Sequence, residues 1–193
     1  MRLYLTGVAC VGKTTIGRKA AALLGLAFFD LDQEVEAFFK TAIPRLRREH
    51  LTEYSYRKEA AKALAHLLSC PESFDSIIAL PPSGLMQGYL AVLKKHPGVI
   101  AALWDKPENI LERITFYDDY SRQIERSLSE RERRLYLKEI KADMSYFGRT
   151  YRQRAHLQIE ISGLDAEGAA NAVKEKVEAA FSASSINPNL SRH

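Results

Sequence analysis

The sequence predicts an α/β protein, a five-stranded parallel sheet flanked by helices, on three observations. Five short runs rich in β-branched and aromatic residues recur at 3–6, 27–31, 76–80, 99–103 and 157–161. Helix-length stretches separate them, and a glycine-rich loop joins the first run to the first such stretch. Strands that alternate with helices pair in parallel, because parallel neighbours need crossovers and the crossovers cover both sheet faces.

Taken in order, the first strand runs into Gly7-Val8-Ala9-Cys10-Val11-Gly12-Lys13-Thr14, followed by Thr15 and a helix through Ile16, Ala20 and Leu23. The second strand ends in Phe28-Phe29-Asp30-Leu31-Asp32. The crossover after it is long, with helical stretches at 32–39, 43–49 and 52–68 before Pro71, which predicts an accessory binding region over about 32–68. After the fourth strand Pro107 opens a helix through Leu111 and Arg113. Residues 114–127 then mix aromatics, aspartates and arginines without a period, the pattern of a mobile lid. Ala169, Ala172, Val173 and Val177 recur at helical spacing and predict a closing helix over 165–181, with a frayed tail at 182–193.

The 193 residues, 46% hydrophobic and 27% charged, suit one domain over 1–181. Glycine or charge interrupts every apolar run before the roughly 18 residues a membrane span needs. The first strand meets the glycine loop with no apolar leader, and Cys10 and Cys70 allow at most one bridge, so a cytoplasmic monomer with reduced thiols is expected. The net charge, 28 − 24 = +4, lies wholly within 113–154, where eleven Lys/Arg face seven Asp/Glu. These charges are interleaved rather than clustered, which reads as a mostly solvated helix carrying one or two functional arginines, not a nucleic-acid interface.

Gly7 to Thr14 satisfies G-x-x-x-x-G-K-[ST] at every required position, in the strand-to-helix setting the motif needs. Its amides and the helix N-terminus cradle phosphate oxygens, so the expected ligand is ATP. Lys13 reaches the β/γ oxygens and the Thr14 hydroxyl ligates Mg²⁺. An ordinary glycine turn would account for Gly7 and Gly12 but not for Lys13-Thr14 in register. In an open parallel sheet, ligands sit at the carboxyl ends of strands. Alternation along an extended segment would turn Asp30 and Asp32 to one side, one to hold Mg²⁺ through water and one to accept a hydrogen bond from an attacking hydroxyl. Alternatively, Asp32 is only the N-cap of the next helix. The five histidines lack metal-ligand spacing, and His66 reads as a helix residue.

These segments resemble the shikimate kinases. The similarity rests on the loop, on Phe28-Phe29-Asp30-Leu31-Asp32 against F-x-D-x-D, on Glu53-Tyr54-Ser55-Tyr56-Arg57 against E-x-x-F-R, on 98–114, and on 151–159. The resemblance implies a three-layer P-loop kinase fold and ATP-dependent transfer to a hydroxyl of a small carboxylated metabolite, shikimate foremost. Residue by residue, it implies Asp30 linked to Mg²⁺, Asp32 binding the acceptor hydroxyl, Arg57 gripping the acceptor carboxylate, Arg122 closing over the γ-phosphate and Arg113 stacking on adenine. Arg126 rivals Arg122, because the family's R-P is Arg122-Gln123 here, and Arg149 stands for a second carboxylate-binding arginine. Departures cluster on the acceptor side. Leu80-Pro81-Pro82-Ser83-Gly84 replaces a glycine triplet that lies against the substrate and leaves Gly84 as its remnant. Ala79 replaces a small hydroxyl residue, and no glutamate follows Arg57 by three positions. Three readings stay open: a divergent shikimate kinase, a kinase for another small hydroxylated metabolite, or a catalytically silent nucleotide-binding protein.

Overall fold

The computed structural model describes residues 1–186. Its elements are β1 (Arg2–Thr6), α1 (Lys13–Leu24), β2 (Ala27–Asp30), α2 (Leu31–Phe39), α3 (Ile43–Arg48), α4 (Glu53–Ser69), β3 (Ser76–Ala79) and α5 (Gln87–Leu93). They continue with β4 (Val99–Trp104), α6 (Pro107–Glu112), β5 (Phe116–Tyr117), β6 (Gln123–Ile124), α7 (Glu130–Arg154), β7 (Leu157–Glu160) and α8 (Ala166–Ile186). The sheet has strand order β2-β3-β1-β4-β7 and is parallel throughout, as expected. Leu3, Tyr4 and Leu5 of the central strand and all four residues of β3 are buried, the continuous apolar run of a sheet covered on both faces. On one face α1 lays Ala20 and Ala21 near Ala169, Ala170, Val173 and Val177 of α8, small residues that let the two helices approach closely.

The accessory region is three helices, α2 to α4. Helix α4 begins with a reciprocal capping box between Thr52 and Ser55 and buries Tyr56, Ala60, Ala61, Ala63, Leu64, Leu67 and Leu68. It packs against α5 so closely that a Cβ on Gly88 would lie 3.0 Å from the Arg57 carbonyl oxygen.

Two expectations change. Residues 114–127 carry a two-stranded antiparallel hairpin, with Phe116 opposite Ile124 and Tyr117 opposite Gln123. Its turn is tied by the Asp118 carboxylate, which accepts from the amides of Tyr120 (2.8 Å) and Arg122 (2.9 Å). The closing helix runs on to Ile186, past the expected start of the tail at Ser182; positions 187–193 of that tail lie outside the described residues. Helix α7 is solvated as expected, burying only Gly148 and Tyr151. Two of its basic residues reach α6: Arg133 pairs with Glu112 and Lys141 with Glu108.

Candidate active site

The site forms where β1 ends and α1 begins. Gly7 and Gly12 hold φ of +152° and +107°, and a Cβ on Gly7 would come within 2.8 Å of Val11, so only glycine fits this turn without strain. Val8 and Val11 point inward: both are buried in the core and fasten the loop from beneath, while their backbone stays in it. No side chain caps α1, and its first turn carries no acid, which leaves the amides at its mouth for an anion. Cys10 takes a left-handed φ of +58°, costly for a residue with a side chain.

A cavity of about 690 Å³ opens over the loop. It is lined by Ala9, Cys10, Gly12, Lys13, Thr14 and Thr15, faced by Asp30 and Asp32, and closed on one side by Arg113, Ile114 and Thr115. The Lys13 ammonium donates to the carbonyl oxygens of Gly7 (2.9 Å) and Val8 (2.8 Å), folded back over the loop. Burial pushes its pKa down to about 8, against the opposing pull of Asp32 and Asp30. The Thr14 hydroxyl donates to Asp30 Oδ2 at 2.5 Å, so the two oxygen ligands expected for a cation already meet.

The two acids reach the cavity by a different route from strand alternation. Helix α2 starts at Leu31, one residue after β2 ends, and Asp30 is its N-cap, with Oδ1 accepting from the Asp32 amide at 3.0 Å. Asp32 is therefore neither in a strand nor the cap; it sits in the first helical turn, and both carboxylates line the cavity. Burial, with the charge of Asp30 adding to it, raises the Asp32 carboxyl to about 6, while Lys13 and Arg47 pull the other way.

Arg113 lines the cavity and is ion-paired to Asp105, a buried acid at the end of β4. Asp105 also accepts from Asn109 Nδ2 and the Lys106 amide (both 2.7 Å) and from Ser162 Oγ (2.9 Å). Burial opposes its ionisation, and these donors together outweigh burial and keep its pKa low. Sequence reasoning missed Asp105, although an acid at a strand's carboxyl end, followed two helical turns later by an arginine, was a readable signal.

Other predicted residues lie outside the cavity lining. Arg57 stands on α4 with its side chain only 13% exposed, its Nη1 3.4 Å from Gln87 Oε1. Arg122 is exposed on the hairpin, its Cζ 5.0 Å from the centre of the Tyr120 ring, and forms no ion pair among the described residues. Its rival Arg126 is committed elsewhere, paired with Glu132 at 2.5 Å and stacked on Phe116. Arg149 is exposed on α7, and the structure does not bring it to Arg57 or Asp32. Gly84 is buried in a turn where a Cβ would meet Leu80 at 2.6 Å, so its need for glycine is steric; Ala79, Leu80 and Pro82 line the cavity instead. The Tyr151 hydroxyl donates to the Pro82 carbonyl oxygen at 2.7 Å and pins that segment from α7. His66 is a helix residue as expected, its ring 5.4 Å from that of Phe38.

A phosphate loop at the end of a central parallel strand, two acids across the cavity and a separate acceptor-side helical insert define the architecture of a P-loop small-molecule kinase. The particular branch follows from comparison. Residues 9–178 match the shikimate kinase family model, and the chain belongs to the shikimate kinase family. It is 32% identical over 115 residues to the shikimate kinase of Salinibacter ruber, covering 60% of this chain and 54% of that one. It is 31% identical over 140 residues to that of Caldanaerobacter subterraneus, covering 67% and 78%. The shikimate kinase of Acinetobacter baumannii in complex with shikimate superposes with a TM-score of 0.69 at 26% identity, over 93% of each chain. The matched part spans little more than half the length of the first of these relatives.

Proposed function

We propose that the protein transfers the terminal phosphoryl group of ATP to a hydroxyl of a small carboxylated metabolite, with shikimate the acceptor and shikimate 3-phosphate and ADP the products. One observation carries the reading: Lys13, Thr14, Asp30 and Asp32 line one cavity in a chain of the shikimate kinase family. The loop amides and Lys13 hold the β/γ-phosphates, and Arg113, fixed by Asp105, offers its guanidinium plane to adenine. Thr14 and Asp30 supply hard oxygen donors suited to Mg²⁺, which neutralises phosphate charge when bound. Among the described residues no cluster of three or more potential metal-binding side chains occurs, as fits a cation held by one or two protein ligands and the nucleotide's own oxygens.

Asp32 orients the acceptor hydroxyl. Its carboxylate, more basic than usual because of burial, accepts the proton as the hydroxyl oxygen bonds to the γ-phosphorus and the bond to the β–γ bridging oxygen breaks. Lys13 and Arg122 offset the charge spreading over the transferred group, Arg122 after closure of the hairpin at 114–127. Arg57 binds the acceptor carboxylate with paired donors. The free thiols Cys10 and Cys70 support a reducing, cytoplasmic setting.

A second reading, a different hydroxylated acid as acceptor, is favoured by the segment that Tyr151 pins at Pro82, since proline offers the substrate no amide. One experiment tests both: ADP release is followed with Mg·ATP and a panel of hydroxylated carboxylic acids. Stimulation by shikimate above the others supports the first reading, stimulation by another acid alone supports the second, and release that no acceptor stimulates refutes transfer.

A further inference from the structure

Helix α3 carries Arg45, Arg47 and Arg48, and the three side chains take different directions. Arg45 stacks on Tyr120 of the hairpin with Cζ 4.1 Å from the ring centre, and Arg48 pairs with Asp119 at 2.7 Å. Arg47 turns to α4, half-exposed, its Cζ 4.9 Å from the centre of the Tyr56 ring. Tyr56 and Tyr89 beside it are both buried, so the aromatic platform under Arg47 is rigid.

One carboxylate stands between Arg47 and Arg57. Glu53, the first residue of α4, has Oε1 4.0 Å from Arg47 Nε and Oε2 3.7 Å from Arg57 Nη2. Neither separation is a hydrogen bond, whereas a settled arginine–carboxylate pair closes to about 2.7–2.9 Å. Arg57 Nε is buried with no hydrogen-bond partner among the described residues. Glu53 is 54% exposed, so its loose double contact contributes little and is easily exchanged. Two guanidinium groups are thus gathered round one carboxylate of the chain that satisfies neither, and the Arg57 Nε donor is left unspent.

We propose that Arg47 is a second acceptor-specificity residue and that Glu53 is an internal stand-in, displaced when an acceptor carboxylate enters between Arg47 and Arg57. The proposal rests on the reading of Arg57 as an acceptor ligand. It also supplies the second carboxylate-binding arginine that Arg149, exposed on α7, does not.

The test is steady-state kinetics of the full chain with Mg·ATP and shikimate. Arg47→Gln is expected to raise KM for shikimate about tenfold with KM for ATP unmoved, and Arg47→Lys, which keeps the charge but loses the fork, to fall between. Glu53→Gln is expected to lower KM for shikimate about threefold, and to lose that effect in an Arg47→Gln background, because the two residues act on one contact. A shikimate KM unchanged in Arg47→Gln, raised in Glu53→Gln, or moved in parallel with the KM for ATP overturns the proposal while wild-type turnover leaves the kinase reading standing. Absence of shikimate-stimulated ADP release by the wild type overturns both.

Discussion

Replacing Asp32 with Asn is expected to separate stability from chemistry. The Asp32 carboxyl is raised from 3.8 to about 6, chiefly by burial, so the folded protein holds its proton more tightly than the unfolded chain does. A shift of about two units would correspond to ~3 kcal/mol for a group removed from water. The side chain touches the water of the cavity, and screening reduces the figure to about 1 kcal/mol. The sign follows from the direction of the shift: the stabilising difference is fully present below the unfolded pKa, is lost as pH rises through the folded value, and leaves a constant penalty at neutral pH. Asn is nearly isosteric with the protonated acid and never ionises. Urea denaturation of the nucleotide-free protein at pH 7.5 should therefore find Asp32→Asn more stable by about 1 kcal/mol, and at pH 3, below the unfolded pKa, nearly equal to the wild type. The same variant should lose roughly 10²-fold or more in kcat while still binding ADP, since only the proton acceptor has gone. A variant less stable at pH 7.5, or one whose advantage is the same at both pH values, would refute the reasoning.

Lys13→Met should abolish transfer, and an unimpaired rate in rapid-quench single turnover would remove Lys13 from the mechanism. Asp105→Asn keeps the shape of the anchor but removes the charge that holds Arg113; KM for ATP should rise by about tenfold with little change in the acceptor KM, and equal changes in both would assign Asp105 to general stability. Tyr151→Phe removes the donor to the Pro82 carbonyl and should cost about 1 kcal/mol in chemical denaturation while raising the acceptor KM; a lower stability with an unmoved KM would confine Tyr151 to packing against Trp104 and Phe147. Alkylation of Cys10, which lines the cavity, should block ADP binding in calorimetry, and bound ADP should protect the thiol; a modified protein that still binds would place the thiol away from the phosphates.

What could be read from the sequence divides along the same line as the site itself. The nucleotide side is local: strand, loop, lysine, threonine and helix follow one another within 3–24, so a motif read in one dimension arrives intact in three. The acids were legible as a pair, yet for the wrong geometric reason. A strand that stops at Asp30 makes that residue a helix cap and carries Asp32 round the first turn, and the boundary between the two regimes lies within one residue. The hairpin escaped because strands of two residues are too short for any period to register, and its shape depends on Asp118 folding back on its own turn.

The acceptor side is assembled from distant parts, and there the sequence pattern misleads. Arg47 lies among three arginines on a six-residue helix and reads as solvated surface; only the packing of α3 on α4, which sets it over Tyr56 with its side chain still 53% exposed, brings it beside Glu53. Arg149 has the opposite fate: α7 packs Ile140, Met144 and Phe147 against the core and leaves Arg149 exposed. Prolines at 81 and 82 withdraw amide donors from the β3 end of the wall, and the hydroxyl of Tyr151 occupies the carbonyl that remains. An anionic acceptor must then find its partners on the facing side, where α3 and α4 supply guanidinium groups in place of main-chain amides. On the proposed reading of Arg47 and Arg57, changes of acceptor preference should map to residues 43–57 and leave 7–15 untouched.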